Sequence, residues 1–241
     1  QWKPVGDKIK TPWAEKVDPA NVLPEYPRPQ MVRSQWVNLN GLWDYAIKPI
    51  GAMEPKTMDG KILVPFAVES SLSGVQKSLT EKDELWYRRT FSVPAAWKGS
   101  NVLLNFGAVD WKADVFVNDI LVGSHTGGFT PFSLDITPYL KAKGDQKLVV
   151  RVFDGTDKGY QPRGKQVLNP NGIWYTPVSG IWQTVWAELV PERYIGSLLF
   201  TPELPEGRIR WQVFSAAPQG AKVSVCYQGE PVAEGETDAD G

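Results

Sequence analysis

Two stretches of this chain are long and lack strand periodicity, residues 73–85 and 155–173. The second carries hydrogen-bonding side chains of several kinds: Arg163, Lys165, Gln166, Asn169 and Asn171. Guanidinium, ammonium and amide groups together offer both donors and acceptors, and loops of this length in a compact domain are often functional. The residues therefore predict either hydrogen bonding to a polar ligand or a loop whose polar side chains only face water or another domain.

Other reactive residue types are scarce. His125 is the only histidine, which excludes a histidine-based triad and a multi-histidine metal site, and we expect it to hydrogen-bond within a turn. Gly127-Gly128 is not a phosphate loop, because no helix follows it. Cys226 is the only cysteine, so an intrachain disulfide is excluded, and we expect a small buried hydrophobe there. No cofactor or metal is predicted.

Composition and charge narrow the class of protein further. The formal net charge is −1, and the sequence has no basic patch that would favour nucleic acid. It has no apolar run near the ~18 residues of a membrane span. Eleven tryptophans and eight tyrosines stand out. Most large aromatics in alternating strands face a core, although such rings also stack on sugars.

Strand-period alternation recurs along residues 85–190 and must position the two loops. Apolar side chains repeat at every second position in residues 102–106, 113–117 and 148–152. In residues 86–93, Tyr87 lies on the predicted apolar face and Trp86 on the mostly polar one. Asn118-Asp119 predicts a two-residue hairpin turn, and residues 181–190 predict one strand apolar on both faces. The pattern indicates an all-β fold, a β-sandwich or jelly roll.

Three zones divide the chain. Residues 1–33 are rich in proline and predict an extended arm on the surface. Residues 34–190 carry the dense strand signals and predict the jelly-roll domain. Residues 191–241 predict an immunoglobulin-like sandwich that is cut short, because such a domain takes ~100 residues. Within it, residues 209–213 alternate as a half-buried strand.

Five segments, in order and at characteristic spacing, resemble the N-terminal part of glycoside hydrolase family 2. They are LNGLWDYAI (39–47), VPFAVESSLSG (64–74), WYRRTF (86–91), FVNDILVGSHTGGFTPFSLDIT (116–137) and SGIWQTVWAELV (179–190). This family contains β-galactosidases, β-glucuronidases and β-mannosidases. The resemblance implies a jelly-roll sugar-binding domain, an immunoglobulin-like domain and then a TIM barrel that supplies both catalytic glutamates. Retaining hydrolysis needs two carboxyl groups ~5–5.5 Å apart, and this chain ends before the barrel.

The resemblance therefore implies no catalytic residue in this chain. Glu69 lies in a family motif, but we interpret it as structural, binding backbone N–H groups. Loops of the family's first domain reach over the barrel mouth, so Arg163, Lys165, Gln166 and Asn171 become candidate substrate-binding residues. Some relatives place an aspartate shortly before the SGI motif, whereas residues 173–176 here read IWYT.

The functional prediction is a non-catalytic N-terminal fragment of an exported enzyme that hydrolyses terminal β-glycosidic bonds of oligo- or polysaccharides. Its loops would shape the substrate pocket of the missing barrel. The alternative is an independent carbohydrate-binding module that uses aromatic stacking. Related members are exported and the sequence does not begin with methionine, so we expect a periplasmic or extracellular protein. The expected partners are a carbohydrate substrate and, through the cut second domain, a second copy in a homodimer.

Overall fold

The structure, a computed structural model, describes residues 2–216 and 220–239; Gln1, Asp240 and Gly241, at the ends of the predicted zones, lie outside the described residues. Short 3₁₀ turns occur at Pro12–Lys16, Ser71–Ser73, Ala95–Trp97, Thr137–Tyr139 and Leu204–Glu206. No helix in the described ranges is long and apolar enough to cross a membrane. The strands are Trp36–Asn38 (β1), Gly41–Pro49 (β2), Gly60–Val64 (β3), Asp83–Phe91 (β4), Asn101–Phe106 (β5), Val109–Asp110 (β6), Lys112–Val117 (β7), Ile120–Thr126 (β8), Phe132–Asp135 (β9), Gln146–Phe153 (β10), Gly180–Ile181 (β11), Val185–Val190 (β12), Ile195–Glu203 (β13), Arg208–Ser215 (β14), Lys222–Tyr227 (β15) and Glu230–Glu236 (β16).

Two antiparallel sheets form the main body. One has the strand order β1-β12-β5-β9, and the other has the order β3-β2-β4-β10-β7-β8. Strands β6 and β11 form a small pair of their own. Many neighbouring strands are far apart in sequence, as in a jelly roll, so the predicted all-β sandwich is confirmed.

The core takes side chains from both sheets. The predicted inward faces of β5, β7 and β10 all enter one cluster, with Val102, Leu104, Phe106, Ala113, Val115, Val117, Leu148, Val150 and Val152 buried. Trp43 of β2 meets Tyr87 of β4 edge to face, with ring centroids 6.3 Å apart. Burial of each large apolar side chain contributes about 1.5–3 kcal/mol. The alternation patterns therefore predicted this core correctly.

The opposite face of β4 differs from its prediction. Trp86 is only 4% exposed and packs with Ala46 and Val149, and Met58 and Phe116 pack against this second cluster. The reason is that side chains from outside β4 cover this face of the sheet. A strand-period pattern identifies which residues share a face, but it does not say whether another segment will cover that face.

The predicted hairpin turn at Asn118-Asp119 is confirmed. Both residues have positive φ, 51° and 71°, and they connect β7 directly to β8. Two positive φ angles in a two-residue connection define the turn that matches the right-handed twist of the strands.

The strand predicted over residues 181–190 is interrupted. Strand β11 ends at Ile181 and β12 begins at Val185. Gly180 has φ +84°, and a Cβ there would lie 2.0 Å from the Tyr87 hydroxyl oxygen. That hydroxyl accepts a hydrogen bond of 3.1 Å from the Ile181 N–H. The close approach to Tyr87 requires glycine at the start of β11, and residues 182–184 separate the two short strands.

The N-terminal arm is attached to the outer face of β12 by a buried charge. No strand precedes Trp36 in the described residues. Glu188 has a side chain with 0% exposure and forms ion pairs with Arg28 and Arg33 at 2.5 and 3.1 Å. It also accepts hydrogen bonds from Tyr26 and Trp186. Burial alone would raise the pKa of Glu188, but these bonds hold it below its usual value.

Beyond β12 the chain forms two hairpins, β13–β14 and β15–β16, each a separate two-stranded sheet. The strand predicted at residues 209–213 is present, but Ile209 and Trp211 are 59% and 40% exposed. Cys226 is also exposed, so the prediction of a buried cysteine was wrong. Along β15, Val223 and Val225 are half-buried, whereas Cys226 stands at the next position, where the side chain is exposed.

Candidate functional site

The two polar loops predicted from sequence meet at one end of the sandwich. Strands β4 and β10 are antiparallel neighbours, and Leu85 pairs with Val152. The start of β4 and the end of β10 therefore lie side by side, and so do the loops before and after them. Thr156 joins these loops, because its hydroxyl donates a 2.8 Å hydrogen bond to the carbonyl of Leu79.

Buried carboxylates hold the root of the 155–173 loop, by which we mean the buried base formed by Glu69, Asp154 and Ser179. The side chain of Asp154 accepts hydrogen bonds from the Thr156 N–H at 2.8 Å and the Ser179 hydroxyl at 2.6 Å. The Ser179 N–H donates to Glu69 at 2.9 Å. Glu69, Asp154 and Ser179 are 3%, 4% and 0% exposed. The structural role expected for Glu69 is confirmed, although its partner lies 110 positions away rather than in the neighbouring turn.

The electrostatics of this root are unusual. Burial raises the pKa of Glu69 to about 8, and the nearby charge of Asp154 adds to the effect while bonds from Ser179 oppose it. Burial, with the charge of Asp154, also raises the pKa of Asp110 to about 7. One oxygen of Glu69 has no hydrogen-bond partner. Because the Glu69 and Asp110 carboxyl groups are buried, they cannot reach a substrate in this structure, and Glu69 fixes the backbone at Ser179.

Two of the four candidate residues are used inside the loop. The guanidinium of Arg163 donates a hydrogen bond to the Asp157 carbonyl. The amide oxygen of Gln166 accepts one of 2.6 Å from the Val178 N–H. Both side chains therefore hydrogen-bond to the backbone of the loop or of the segment just after it. These bonds leave them less free to contact a ligand.

Lys165 and Asn171 are the other two, and both are exposed. Only main-chain bonds are described for them: the Lys165 carbonyl accepts from Tyr175 at 2.8 Å, and the Asn171 carbonyl accepts from Trp174 at 3.0 Å. Their side chains project from a loop whose backbone is fixed. The structure does not gather the four candidates in one pocket of the described residues.

Exposed aromatic residues of the same loop were not predicted as functional. Trp174 and Tyr175 are 39% and 63% exposed, and Tyr160 is 91% exposed. Neighbouring large apolar side chains that form a patch on a surface can mark a binding site, whereas single exposed ones are ordinary. The available signal was the run of large side chains in residues 173–175, inside a stretch with no strand alternation that could bury them.

His125 hydrogen-bonds within its turn as predicted. Its Nε2 lies 3.3 Å from the Gly127 carbonyl oxygen and 3.1 Å from the Thr130 hydroxyl. Among the described residues, no cluster of three or more histidine, cysteine, aspartate or glutamate side chains is arranged to hold a metal ion.

Comparison with known proteins connects this site to a family. The sugar binding domain of glycosyl hydrolases family 2 matches residues 64–187, just over half of the chain. A β-galactosidase of Thermoanaerobacter pseudethanolicus is 35% identical over 116 residues, which cover 48% of this chain and 15% of that protein. A β-glucuronidase of Paenibacillus borealis is 32% identical over 106 residues, which cover 42% and 18%. The match thus spans less than a fifth of either relative.

Solved structures agree with the fold. The β-glucuronidase of Lactobacillus rhamnosus superposes with a TM-score of 0.64 at 25% identity, covering 88% of this chain and 38% of that one. Residues 64–187, which match the family's sugar binding domain, contain both loops, the buried carboxylates at their root and most strands of the sandwich. The chain belongs to glycosyl hydrolases family 2 and contains the sugar binding domain of that family.

Proposed function

We propose that this chain is the non-catalytic N-terminal part of an exported family 2 glycoside hydrolase that cleaves terminal β-glycosidic bonds. In this proposal, residues 1–33 are the arm, residues 34–190 the sugar-binding jelly roll and residues 191–241 the start of an immunoglobulin-like domain. The exposed face of that last domain would pair with further protein, in one chain or in a homodimer. The proposal of export rests on the family resemblance, and fractionation of producing cells tests it.

One observation carries the proposed role of the jelly roll: a loop anchored by buried carboxylates presents polar and aromatic side chains outward. Lys165 and Asn171 supply hydrogen-bonding groups, and Trp174 and Tyr175 supply exposed rings. A sugar has hydroxyl groups at its rim and C–H groups on its faces, so a surface with both kinds of side chain suits it. The root bonds of Asp154 keep this surface in place without ligand.

Hydrolysis itself needs a carboxyl pair about 5–5.5 Å apart that flanks the bond to be cleaved. In the described residues, the carboxyl groups whose pKa is raised are Glu69 and Asp110, and both are buried. We therefore assign the chemistry to another part of the enzyme. The names of the relatives differ in the sugar, galactose in one and glucuronate in the other, so the proposal is stated for terminal β-linked sugars in general.

The test uses the longer enzyme that carries this chain. Trp174→Ala and Tyr175→Ala, alone and together, should lower kcat/KM for its aryl glycoside by roughly tenfold, about 1.4 kcal/mol of transition-state binding. The same measurement on Lys98→Ala, an exposed lysine outside both loops, is the matched control. Unchanged kcat/KM in the double variant would overturn the role given to the loop.

A separate measurement addresses the assignment of catalysis. The isolated chain, mixed with nitrophenyl galactoside, glucuronide and mannoside, should release no nitrophenol. Turnover at about 1 per second or faster, an ordinary enzymatic rate, would contradict the proposal.

The second candidate function is an independent carbohydrate-binding module, and the 91% exposure of Tyr160 favours it. The two functions differ in affinity. A surface that only completes a larger pocket should bind free monosaccharides no more tightly than about 1 mM, or ~4 kcal/mol. Micromolar binding to the isolated chain, lost when one aromatic residue is replaced, would favour the module.

A further inference from the structure

A groove on the six-stranded sheet has no assigned role. It lies where β4, β7, β8 and β10 meet the loops and has a volume of about 650 Å³. Its aromatic lining consists of Trp111, Phe153 and Tyr160. None of Arg163, Lys165, Gln166, Asn171, Trp174 and Tyr175 lines it. The groove is therefore a different surface from the one to which we assigned the loop's role.

Two of the aromatic rings that line the groove stand perpendicular to each other and form a corner. Trp111 and Tyr160 meet edge to face, with centroids 6.0 Å apart and an interplanar angle of 85°. Tyr160 is 91% exposed although its ring has this contact. A flat aromatic ring held in the open and a second ring perpendicular to it offer apolar surface to a ligand that has a flat apolar face.

Beside this corner lies a fixed pair of charges. The guanidinium of Arg151 binds Asp114 at 2.6 Å and lies over the Trp86 ring, 5.6 Å from its centroid. Asp114 also accepts a 2.5 Å bond from the Ser124 hydroxyl. These contacts hold a donor and an acceptor next to each other, which is the arrangement that two adjacent hydroxyl groups need. The amide of Gln161 lies at the same rim; its nitrogen donates a 3.5 Å hydrogen bond to Asp154, so its oxygen is the group that it offers to a ligand.

The charges around the groove balance. Its basic side chains are Lys112, Arg151 and Lys158, and its acidic side chains are Glu81, Glu84 and Asp114. Arg151 is already paired with Asp114, and Lys158 lies 3.7 Å from Asp157. A ligand with a carboxylate or sulfate group would have to compete with these partners and would also approach three carboxylates. An uncharged ligand would not meet either cost.

We propose that this groove binds a neutral saccharide, with one sugar ring against Tyr160 and Trp111 and adjacent hydroxyls on the Arg151–Asp114 pair and Gln161. The inference rests on the proposed function in taking carbohydrate as the ligand class. It uses Tyr160 and Gln161 of the same loop, but none of Lys165, Asn171, Trp174 and Tyr175, to which the role beside the catalytic domain is assigned.

The experiment is a calorimetric and NMR titration of this chain with three probes: cellotetraose, β-1,4-galactotetraose and tetragalacturonate. At least one neutral probe should bind with a Kd of roughly 0.1–1 mM, and tetragalacturonate at least about tenfold more weakly. Tyr160→Ala should weaken neutral binding about tenfold or more, whereas Tyr160→Phe, which keeps the ring, should retain most of it. Tyr160 is almost fully exposed, so its replacement should leave the fold intact, which circular dichroism checks.

A matched variant separates this inference from the proposed function. Tyr175→Ala removes another exposed tyrosine, from the loop surface, and should leave groove binding unchanged. If neither neutral probe binds, if the acidic probe binds most tightly, or if Tyr160→Ala binds as the natural chain does, the groove proposal fails. The hydrolysis measurements on Trp174 and Tyr175 would still decide the role of the loop.

Discussion

The sandwich of β1–β12 and the two hairpins of β13–β16 carry the same kind of sequence pattern with different results. Trp43, in β2, is 0% exposed, whereas Trp211, in β14, is 40% exposed. Both stand at alternating apolar positions of an antiparallel strand. Alternation predicted the strand at residues 209–213, and dense strand signals predicted the strands of residues 34–190. Of these two tryptophans, only the one with a second sheet opposite it is buried.

The number of strands in each sheet explains the difference. The sandwich has sheets of four and six strands, whereas β13–β14 and β15–β16 are two-stranded. An isolated two-stranded hairpin is marginally stable in water, because it has little apolar surface to bury. Mutations in the hairpins should therefore lower the free energy of unfolding far less than mutations in the sandwich do.

The test of this comparison with the largest expected effect replaces one tryptophan in each region. Trp43→Ala should lower the free energy of unfolding by about 4 kcal/mol, because it leaves a cavity in a packed core. Trp211→Ala should lower it by less than ~1 kcal/mol, since the indole is already partly in water. Urea denaturation of both variants measures the two values. Equal losses would mean that the hairpin is as well packed as the sandwich, and the comparison would be wrong.

The next test uses two glutamates, each of which binds two arginines. Glu188 has a fully buried side chain and contacts Arg28 and Arg33, whereas Glu203 pairs with Arg208 and Arg210, whose side chains are 65% and 63% exposed. Glu188→Gln should cost roughly 3 kcal/mol, the lower end for a broken buried pair, because its arginines keep some contact with water. Glu203→Gln should cost less than about 1 kcal/mol.

Denaturation in low and high salt provides the control for these charge effects. Added salt should reduce the small effect of Glu203→Gln and leave most of the effect of Glu188→Gln, because buried pairs are screened less. A loss below about 1 kcal/mol for Glu188→Gln would show that the arm is not held to β12 by this charge.

The sequence predicted contacts between neighbours in a strand or a turn better than contacts between distant segments. The core positions of β5, β7 and β10 and the turn at Asn118-Asp119 depend on spacing within a few residues, and these predictions were correct. The burial of Trp86, the contact of Gly180 with the Tyr87 hydroxyl and the pairing of Glu188 with the arm depend on segments far away in the chain. The periodicity of a short stretch of sequence does not indicate which distant segment will contact it.

The candidate site shows the same division. Loop length and polarity correctly indicated two loops, which the structure joins through Thr156 and Leu79. Composition could not tell which polar side chains bind the loop itself, as Arg163 and Gln166 do, and which remain free, as Lys165 and Asn171 do. That distinction depends on where each side chain finds a backbone partner.

A pH test compares the two regions through their carboxyl groups. The folded state raises the pKa of Glu69 from 4.5 to about 8, chiefly by burial. Its ionisation therefore opposes folding: stability is complete below pH 4.5, declines as pH rises towards 8 and is level above that. Asp110, with its pKa raised from 3.8 to about 7, acts in the same direction over a lower range.

Glu69→Gln should remove its part of this decline, which is at most about 1.4 kcal/mol per pH unit. Urea denaturation from pH 5 to 8 measures the slope for the natural chain and the variant. Glu203→Gln, in the hairpin, is the matched control and should keep the natural slope. If the natural chain were equally stable at pH 5 and pH 8, the buried Glu69 would not be protonated on folding as we infer.

The smallest expected effect concerns the turns that close the hairpins β7–β8 and β15–β16. Asn118 and Asp119 have positive φ in one turn, and Gln228 and Gly229 have φ of 52° and 91° in the other. Asparagine tolerates positive φ better than glutamine does, because its short side chain can hydrogen-bond to the local backbone. Gln228→Asn should therefore stabilise the β15–β16 hairpin by about 0.5 kcal/mol. Hydrogen exchange of the amides in residues 222–236 should slow about twofold, with exchange in the sandwich unchanged. Gln228→Lys keeps a long side chain at the same φ and should change neither rate. A gain in the sandwich as well would show that the two regions unfold together, which their different packing argues against.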